Sequence, residues 1–171
     1  MDQPAGSSLG QEPPFGHHDV KLEDKGRIKL PARLKKHMAE RFPGEKVFIT
    51  SLDLAIGRIF ALSVWKSKLA KLEQAQEDEN PEIAEMAELT VFRANKFGTD
   101  QVIDDQGRIM VPPKLRELLA IRTGDGEAQT IWLEWTKDSI SIYNEAEYER
   151  RSTAATTLRA GEKQFQRRMG F

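Results

Sequence analysis

The sequence predicts an α+β, strand-rich fold in which one unit is used twice, the copies related by a pseudo-twofold axis and joined by a helical hairpin. Three observations predict it. The stretch "LEDKGRIKLPARLKKHM" (22–38) lies against "IDDQGRIMVPPKLRELL" (103–119) without a gap and matches at six positions, where unrelated segments share roughly one. Each copy runs through the same succession of patterns: an alternating strand, a glycine turn, a second alternating strand, a proline, a helical apolar stripe and two more strands. Two segments of helical period separate the copies. A repeat of about 45 residues buries too little apolar surface to stand alone, so the copies are expected to fold into each other.

Taken in order, "MDQPAGSSLGQEPPFG" has the Pro, Gly and Ser content of a mobile tail. From Val20 a hairpin begins, with Val20 and Leu22 alternating before "EDKG" and Ile28 and Leu30 after it. Gly26 and Gly107 suit a loop that needs positive φ, and Asp24 and Asp105 are placed to close it through an Asx-type hydrogen bond. If Ile28 and Leu30 face the core, Arg27 and Lys29 point outward, as do Arg108 and Met110 in the second copy.

Pro31 and Pro112 end the strands and fit the first turn of a helix, where a missing N–H is not needed. Leu34, Met38 and Phe42 then recur at helical spacing, as do Leu115, Leu118 and Leu119, which leaves Arg33 and Lys36 toward solvent. "KVFIT" and "RIFAL" complete the first copy, "TIWLEW" and "SISIY" the second. Between them "VWKSKLAKLEQAQ" is a helix with Trp65, Leu69 and Leu72 on one side. Asn80-Pro81-Glu82 starts another, with Ile83, Met86, Ala87 and Thr90 as its apolar stripe and Gly98 at its end. The expected organisation is a disordered tail at 1–17, repeat one at 18–64, a helical hairpin at 65–97, repeat two at 98–148 and a basic tail, partly helical, at 149–171.

Composition narrows the function classes. The chain has no cysteine, which excludes disulfides and thiolate metal sites, and no apolar run long enough to span a membrane. With no signal-peptide pattern either, it is expected in the cytoplasm. The net charge is −1, yet residues 20–41 hold eight basic and three acidic side chains while 73–88 hold seven acidic and none basic. Such segregation implies one electropositive face and a part of the molecule that a polyanion avoids. No Ser-His-Asp set, metal spacing or phosphate loop occurs; His17 and His18 fall in the tail and His37 in the basic helix, so no enzyme, metal, cofactor or small-molecule substrate is expected.

The chemistry falls on the repeated turn. A guanidinium on an outward strand position, Arg27 or Arg108, can reach phosphate oxygens or chelate guanine. The bland alternative is a local brace, Glu23 with Arg27 and Asp104 with Arg108. Lys25, Arg27, Lys29, Arg33, Lys35 and Lys36 put six basic residues in 25–36. The second copy is poorer: Arg108, Lys114 and Arg116 are balanced by Asp104, Asp105 and Glu117, with Gln106 and Met110 in place of lysines. The first repeat is therefore expected to supply most of the attraction and the second more of the positioning, Gln106 being placed to read an adenine edge.

The repeated D/E-x-x-G-R-I-x-[LV]-P…L-[KR] motif, twice with a helical hairpin between, resembles the MraZ family, two-repeat members of the AbrB-like swapped-hairpin transcription factors. The similarity runs from about Gly16 to Tyr148 and includes "VFIT" followed by Asp53, "RIFAL", "SISIY", Trp65 and Tyr148; the family's aspartate is Glu23 in the first copy. The resemblance implies tandem swapped-hairpin β-barrel repeats. It also implies a nucleoid-associated regulator of the division and cell-wall gene cluster that binds short repeated boxes of double-stranded DNA as a ring-shaped homo-oligomer. On that reading the DNA-facing set is Lys25, Arg27, Lys29, Arg33, Lys35, Gln106, Arg108, Lys114 and Arg116, with Glu23, Gly26, Asp104 and Gly107 shaping the turns. The competing class is an oligomeric scaffold of the same fold without specific DNA binding, because the second copy has lost basic residues.

Overall fold

The computed structural model describes residues 12–122 and 129–171; residues 1–11 of the expected tail lie outside them. In chain order come β1 (His17–Glu23), a 3-10 turn (Asp24–Gly26), β2 (Arg27–Lys29), α1 (Ala32–Arg41), β3 (Val47–Thr50) and β4 (Gly57–Ala61). The hairpin of α2 (Leu62–Gln76) and α3 (Pro81–Phe97) leads to β5 (Thr99–Gln101), β6 (Arg108–Met110) and α4 (Pro113–Leu118). Last come β7 (Thr130–Thr136), β8 (Ser139–Tyr143), α5 (Glu145–Ala155) and α6 (Glu162–Arg168). The strands form one nearly closed antiparallel sheet in the order β5-β3-β4-β8-β7-β1-β2-β6.

That order shows how the copies combine. β1 pairs with β7 and β5 with β3, so the first strand of each repeat lies against the post-helix strand of the other. β2 pairs with β6 and β4 with β8, like with like. Ile28 stands opposite Ile109, its equivalent 81 residues on, so the pseudo-twofold axis passes between them. At the far ladder the pairs Gly57·Ile142 and Ile59·Ile140 exchange under the same axis. The α+β strand-rich class and the swapped hairpins are as the sequence predicts.

The core follows from the strand period. Ile28 and Ile109 from the hairpins, Leu34 and Leu115 from the helices, and Ile49, Ile59, Leu133 and Ile140 from the later strands are all at most 1% exposed. A smaller cluster of Phe48, Phe60, Trp65 and Ala94 seats the helical hairpin on β3 and β4. Trp65 stacks on Phe48 with centroids 4.6 Å apart, and Tyr148 stacks on Trp132 at 4.0 Å. The two stacks are counterparts: each is the first helix after the fourth strand gripping the third strand of its own repeat. α5 is thus the second copy's version of α2.

Several expectations are corrected. β1 starts at His17, inside the expected tail, and His17 and His18 stand opposite Glu134 and Leu133. His17 bonds the Tyr148 hydroxyl at 3.1 Å, and Pro14 is buried. A strand whose outward residues are His and Asp has no apolar alternation to reveal it. Pro31 and Pro112 occupy the cap position just before the helices rather than the first turn, with Pro113 inside α4. Residues 145–155, split by the expected boundary at 148, form a single helix, capped by Asn144, whose side chain accepts from the Glu147 N–H.

On α3 the buried residues are Ala87 and Ala94, while Met86 from the expected stripe is exposed. Small residues let the helix backbone approach β3, where the Thr50 hydroxyl donates to the Ala94 carbonyl at 2.7 Å. Gly98 ends α3, but in extended conformation (φ −109°), not as a left-handed cap. Its reason is space: a Cβ there lies 2.5 Å from the Ala94 carbonyl oxygen, 2.6 Å from Phe48 Cζ and 2.9 Å from the Ile49 carbonyl oxygen. Two of these are backbone and cannot swing aside. Gly98→Ala is therefore expected to cost about 1–3 kcal/mol by overpacking, read as a lowered urea midpoint with unchanged slope. An unaltered midpoint would show that α3 and β3 can part freely.

Candidate nucleic-acid interface

The β2·β6 ladder puts the repeated motif on one surface. Ile28 and Ile109 point inward, so Arg27, Lys29, Arg108 and Met110 share the outer side. Arg27 stands opposite Met110 and Lys29 opposite Arg108. A lysine directly across from an arginine is unfavourable in a ladder unless an anion lies between or over them. Among the described residues one carboxylate is ion-paired there: Glu23 accepts from Arg108 Nε at 2.8 Å, both side chains about 30% exposed. Arg27 Nε is buried without a hydrogen-bond partner. Met110 is 45% exposed, where the first copy has Lys29.

In place of the local braces that stood as the bland alternative, there is a brace across the dyad. Glu23 faces Arg27 in the β1·β2 ladder, yet its carboxylate goes to the other repeat's arginine. Asp104, one methylene shorter, turns onto its own loop and accepts from the Gln106 N–H at 2.9 Å and the Arg108 N–H at 2.8 Å. That carboxyl is held below the ordinary range, first by the Arg108 N–H, with the Arg108 and Arg27 charges adding to it. Asp104, not Asp105, therefore supplies the Asx bond. The first turn has no such bond and instead holds Lys25 at φ +67°.

Gly26 and Gly107 adopt φ +76° and +78°, as expected, and each has a second duty. Arg116 of α4 lies over Gly26, where a Cβ would come within 2.7 Å of its guanidinium carbon. Lys35 of α1, the equivalent residue, lies over Gly107 and donates to the Asp105 carbonyl at 2.6 Å. Arg116 Nε donates to the Val111 carbonyl at 3.0 Å. The turns are further tied by Leu30 N–H to Gly107 O (2.8 Å) and Val111 N–H to Gly26 O (2.9 Å). Each basic helix thus clamps the hairpin of the other repeat.

Of the nine residues expected to face DNA, the structure brings Arg27, Lys29 and Arg108 together on the ladder and places Lys25 and Gln106, both exposed, at the two turn tips. Arg33 and Lys114 are exposed in the first turns of α1 and α4. Lys35 and Arg116 are half-buried over the turns. A contribution that the sequence does not reveal comes from Gln101. β5 stops short of the length of β1, and the Gln101 side chain pairs with the Met110 N–H and carbonyl, both at 2.8 Å, completing the edge of β6. Its isolated position in "TDQV" carries no pattern. Among the described residues no cluster of His, Asp and Glu has metal-binding geometry.

No protein-family model matches the chain. Relatives named Transcriptional regulator MraZ do. One from Acidobacterium capsulatum is 34% identical over 110 residues, 64% of this chain and 70% of the relative. One from Koribacter versatilis is 30% identical over 107 residues, 63% and 69% of the two chains. One from a Marinomonas species is 33% identical over 128 residues, 68% and 78%.

Proposed function

We propose, for a chain that belongs to the MraZ family of transcriptional regulators, that the outer side of the β2·β6 ladder binds double-stranded DNA and that the protein acts as a transcriptional regulator. The observation that supports this most is the placement of Arg27, Lys29 and Arg108 on one dyad-centred surface where, among the described residues, one of the three, Arg108, is tied in an ion pair. Cations crowded in this way gain from phosphate, which displaces their counterions. Lys25, Gln106, Arg33 and Lys114 extend the surface at the turns and helix starts, while Lys35 and Arg116 hold the turns that present it.

Few phosphates fit against one such ladder, so the reading includes a homo-oligomer, in ring form, whose subunits engage successive boxes in the promoter of the division and cell-wall genes. Binding several boxes at once multiplies weak contacts through effective concentration. The acidic α2–α3 hairpin is expected to face away from the DNA. A scaffold without specific binding is favoured by one observation, the exposed Met110 where a lysine would serve.

Fluorescence anisotropy of labelled duplexes selected from a random pool separates the two. A regulator gives saturable binding to a recurring box, with log K falling by about 0.9 per log unit of salt for each phosphate contacted. Absence of saturable binding at low salt would leave the scaffold.

A further inference from the structure

Two surfaces remain that the ladder does not use, and they match each other. The first is the outer side of α3. Met86, Leu89 and Phe92 follow at three-residue steps and are 55%, 50% and 67% exposed, with Glu82, Glu85 and Glu88 among them. Single exposed apolar residues are ordinary, whereas a contiguous row rimmed by charge marks a contact site. The row starts at the end of the acidic stretch 73–88, which holds seven carboxylates and no cation, and continues past it; Lys96 lies at the other end of the helix.

The second surface is the C-terminal segment. α6 is only seven residues long yet is finished at both ends. Glu162 accepts from the Arg159 N–H at 2.8 Å. At the other end Gly170 adopts φ +95°, with Phe171 N–H to Gln166 O at 3.0 Å and Gly170 N–H to Arg167 O at 3.1 Å, a Schellman closure. A helix of two turns is not stable in water by itself. Among the described residues nothing packs over it, since every residue from Thr153 to Phe171 except Glu162 is exposed, Phe165 and Met169 among them. Residues 156–171 carry four basic side chains against one acidic.

We propose that residues 156–171 of one protomer dock on the α2–α3 hairpin of a second copy, Phe165 and Met169 covering the Met86–Leu89–Phe92 row. Charge fixes the direction. The basic end of α6, Arg167 and Arg168, meets the acidic first half of α3, and Glu162 meets Lys96, so the helices run antiparallel. Donor and acceptor are different patches, each present once per chain. Contacts of this kind propagate head to tail and close into a ring when the rotation permits. The inference rests on the homo-oligomer reading of the proposed function and assigns its interface.

The absence of cysteine makes the test clean. Phe165→Cys and Leu89→Cys, both at exposed sites, are mixed as full-length chains and oxidised. A disulfide-linked dimer is expected in the mixture, but not with either variant alone nor when Glu117→Cys on α4 replaces Leu89→Cys. In parallel, sedimentation velocity is expected to show a smaller species for Arg167→Glu/Arg168→Glu and for Glu82→Lys/Glu85→Lys, with assembly regained when all four changes share one chain. A wild-type chain that is monomeric at micromolar concentration overturns the oligomer reading itself. An oligomer that survives both charge variants, with no cross-link, overturns only this docking. A cross-link that forms solely within a doubly substituted chain overturns it too, by placing the segment on its own hairpin.

Discussion

Replacing Arg27 and Arg108 together by alanine is expected to abolish specific DNA binding while leaving fold and oligomer size unchanged. The two guanidiniums are dyad-related on the same ladder, so their removal takes equivalent anchors from both repeats. A bidentate arginine contact to a base is worth about 1–3 kcal/mol, so the pair accounts for about 2–6 kcal/mol per subunit, or roughly 30-fold to 10⁴-fold in affinity. If the arginines grip phosphate instead, the slope of log K against log salt flattens by about 0.9 for each phosphate no longer engaged. Anisotropy over a salt series distinguishes these. The comparison protein is Arg150→Ala/Arg151→Ala, which removes the same charge from α5, where both arginines pair with Glu147 at 2.6 and 2.8 Å. Equal weakening in the two variants would mean that charge, not position, matters, and normal binding by the ladder variant would remove the site assignment.

Ile28→Ala and Ile109→Ala should each lower stability by about 2–5 kcal/mol, the cost of emptying a fully buried site that cannot collapse. Both side chains sit on the axis, at 0% and 1% exposure, and face each other across the only ladder that joins β2 to β6. For a chain of this size that is roughly 4–20 °C in Tm. The corresponding valine changes should cost about 0.5–1.5 kcal/mol, which separates lost packing from general intolerance. Because the cavities would merge, the double alanine variant should fall short of the sum. Urea unfolding followed by circular dichroism gives all of these values. Alanine variants as stable as the parent would mean that the two halves do not depend on this contact.

The turns show how far the sequence carries. Period-two alternation around Gly26 and Gly107 reveals which side of the strand Arg27 and Arg108 occupy, because facing direction is a local property. It does not reveal which copy supplies their partner. Spacing of four residues points to Glu23 with Arg27, but in interlocked hairpins the nearest guanidinium comes from the other repeat, and one methylene decides that Glu23 crosses while Asp104 stays home. Lys35 and Arg116 look like members of a charged face for the same reason, though each clamps a distant turn. On α3 the larger apolar residues suggest one buried side, whereas Ala87 and Ala94 permit closer approach and take it. The trace of that choice, alanine at positions 84, 87 and 94, is present in the sequence but weaker than the pull of Met and Ile.

Because β1 pairs with β2 at its end alone and needs β7 for the stretch from His17 to Lys21, most of the strand leaves the ribosome long before its partner exists. The nascent first half must keep its open edges from foreign strands while the helical linker and the second hairpin are still being made. Such long-range closure is slow and exposes the growing chain to exchange with its neighbours. Two unfinished copies on one messenger could trade hairpins and emerge as an entwined pair, so the rate of translation through the second half bears on how much protein reaches its proper form.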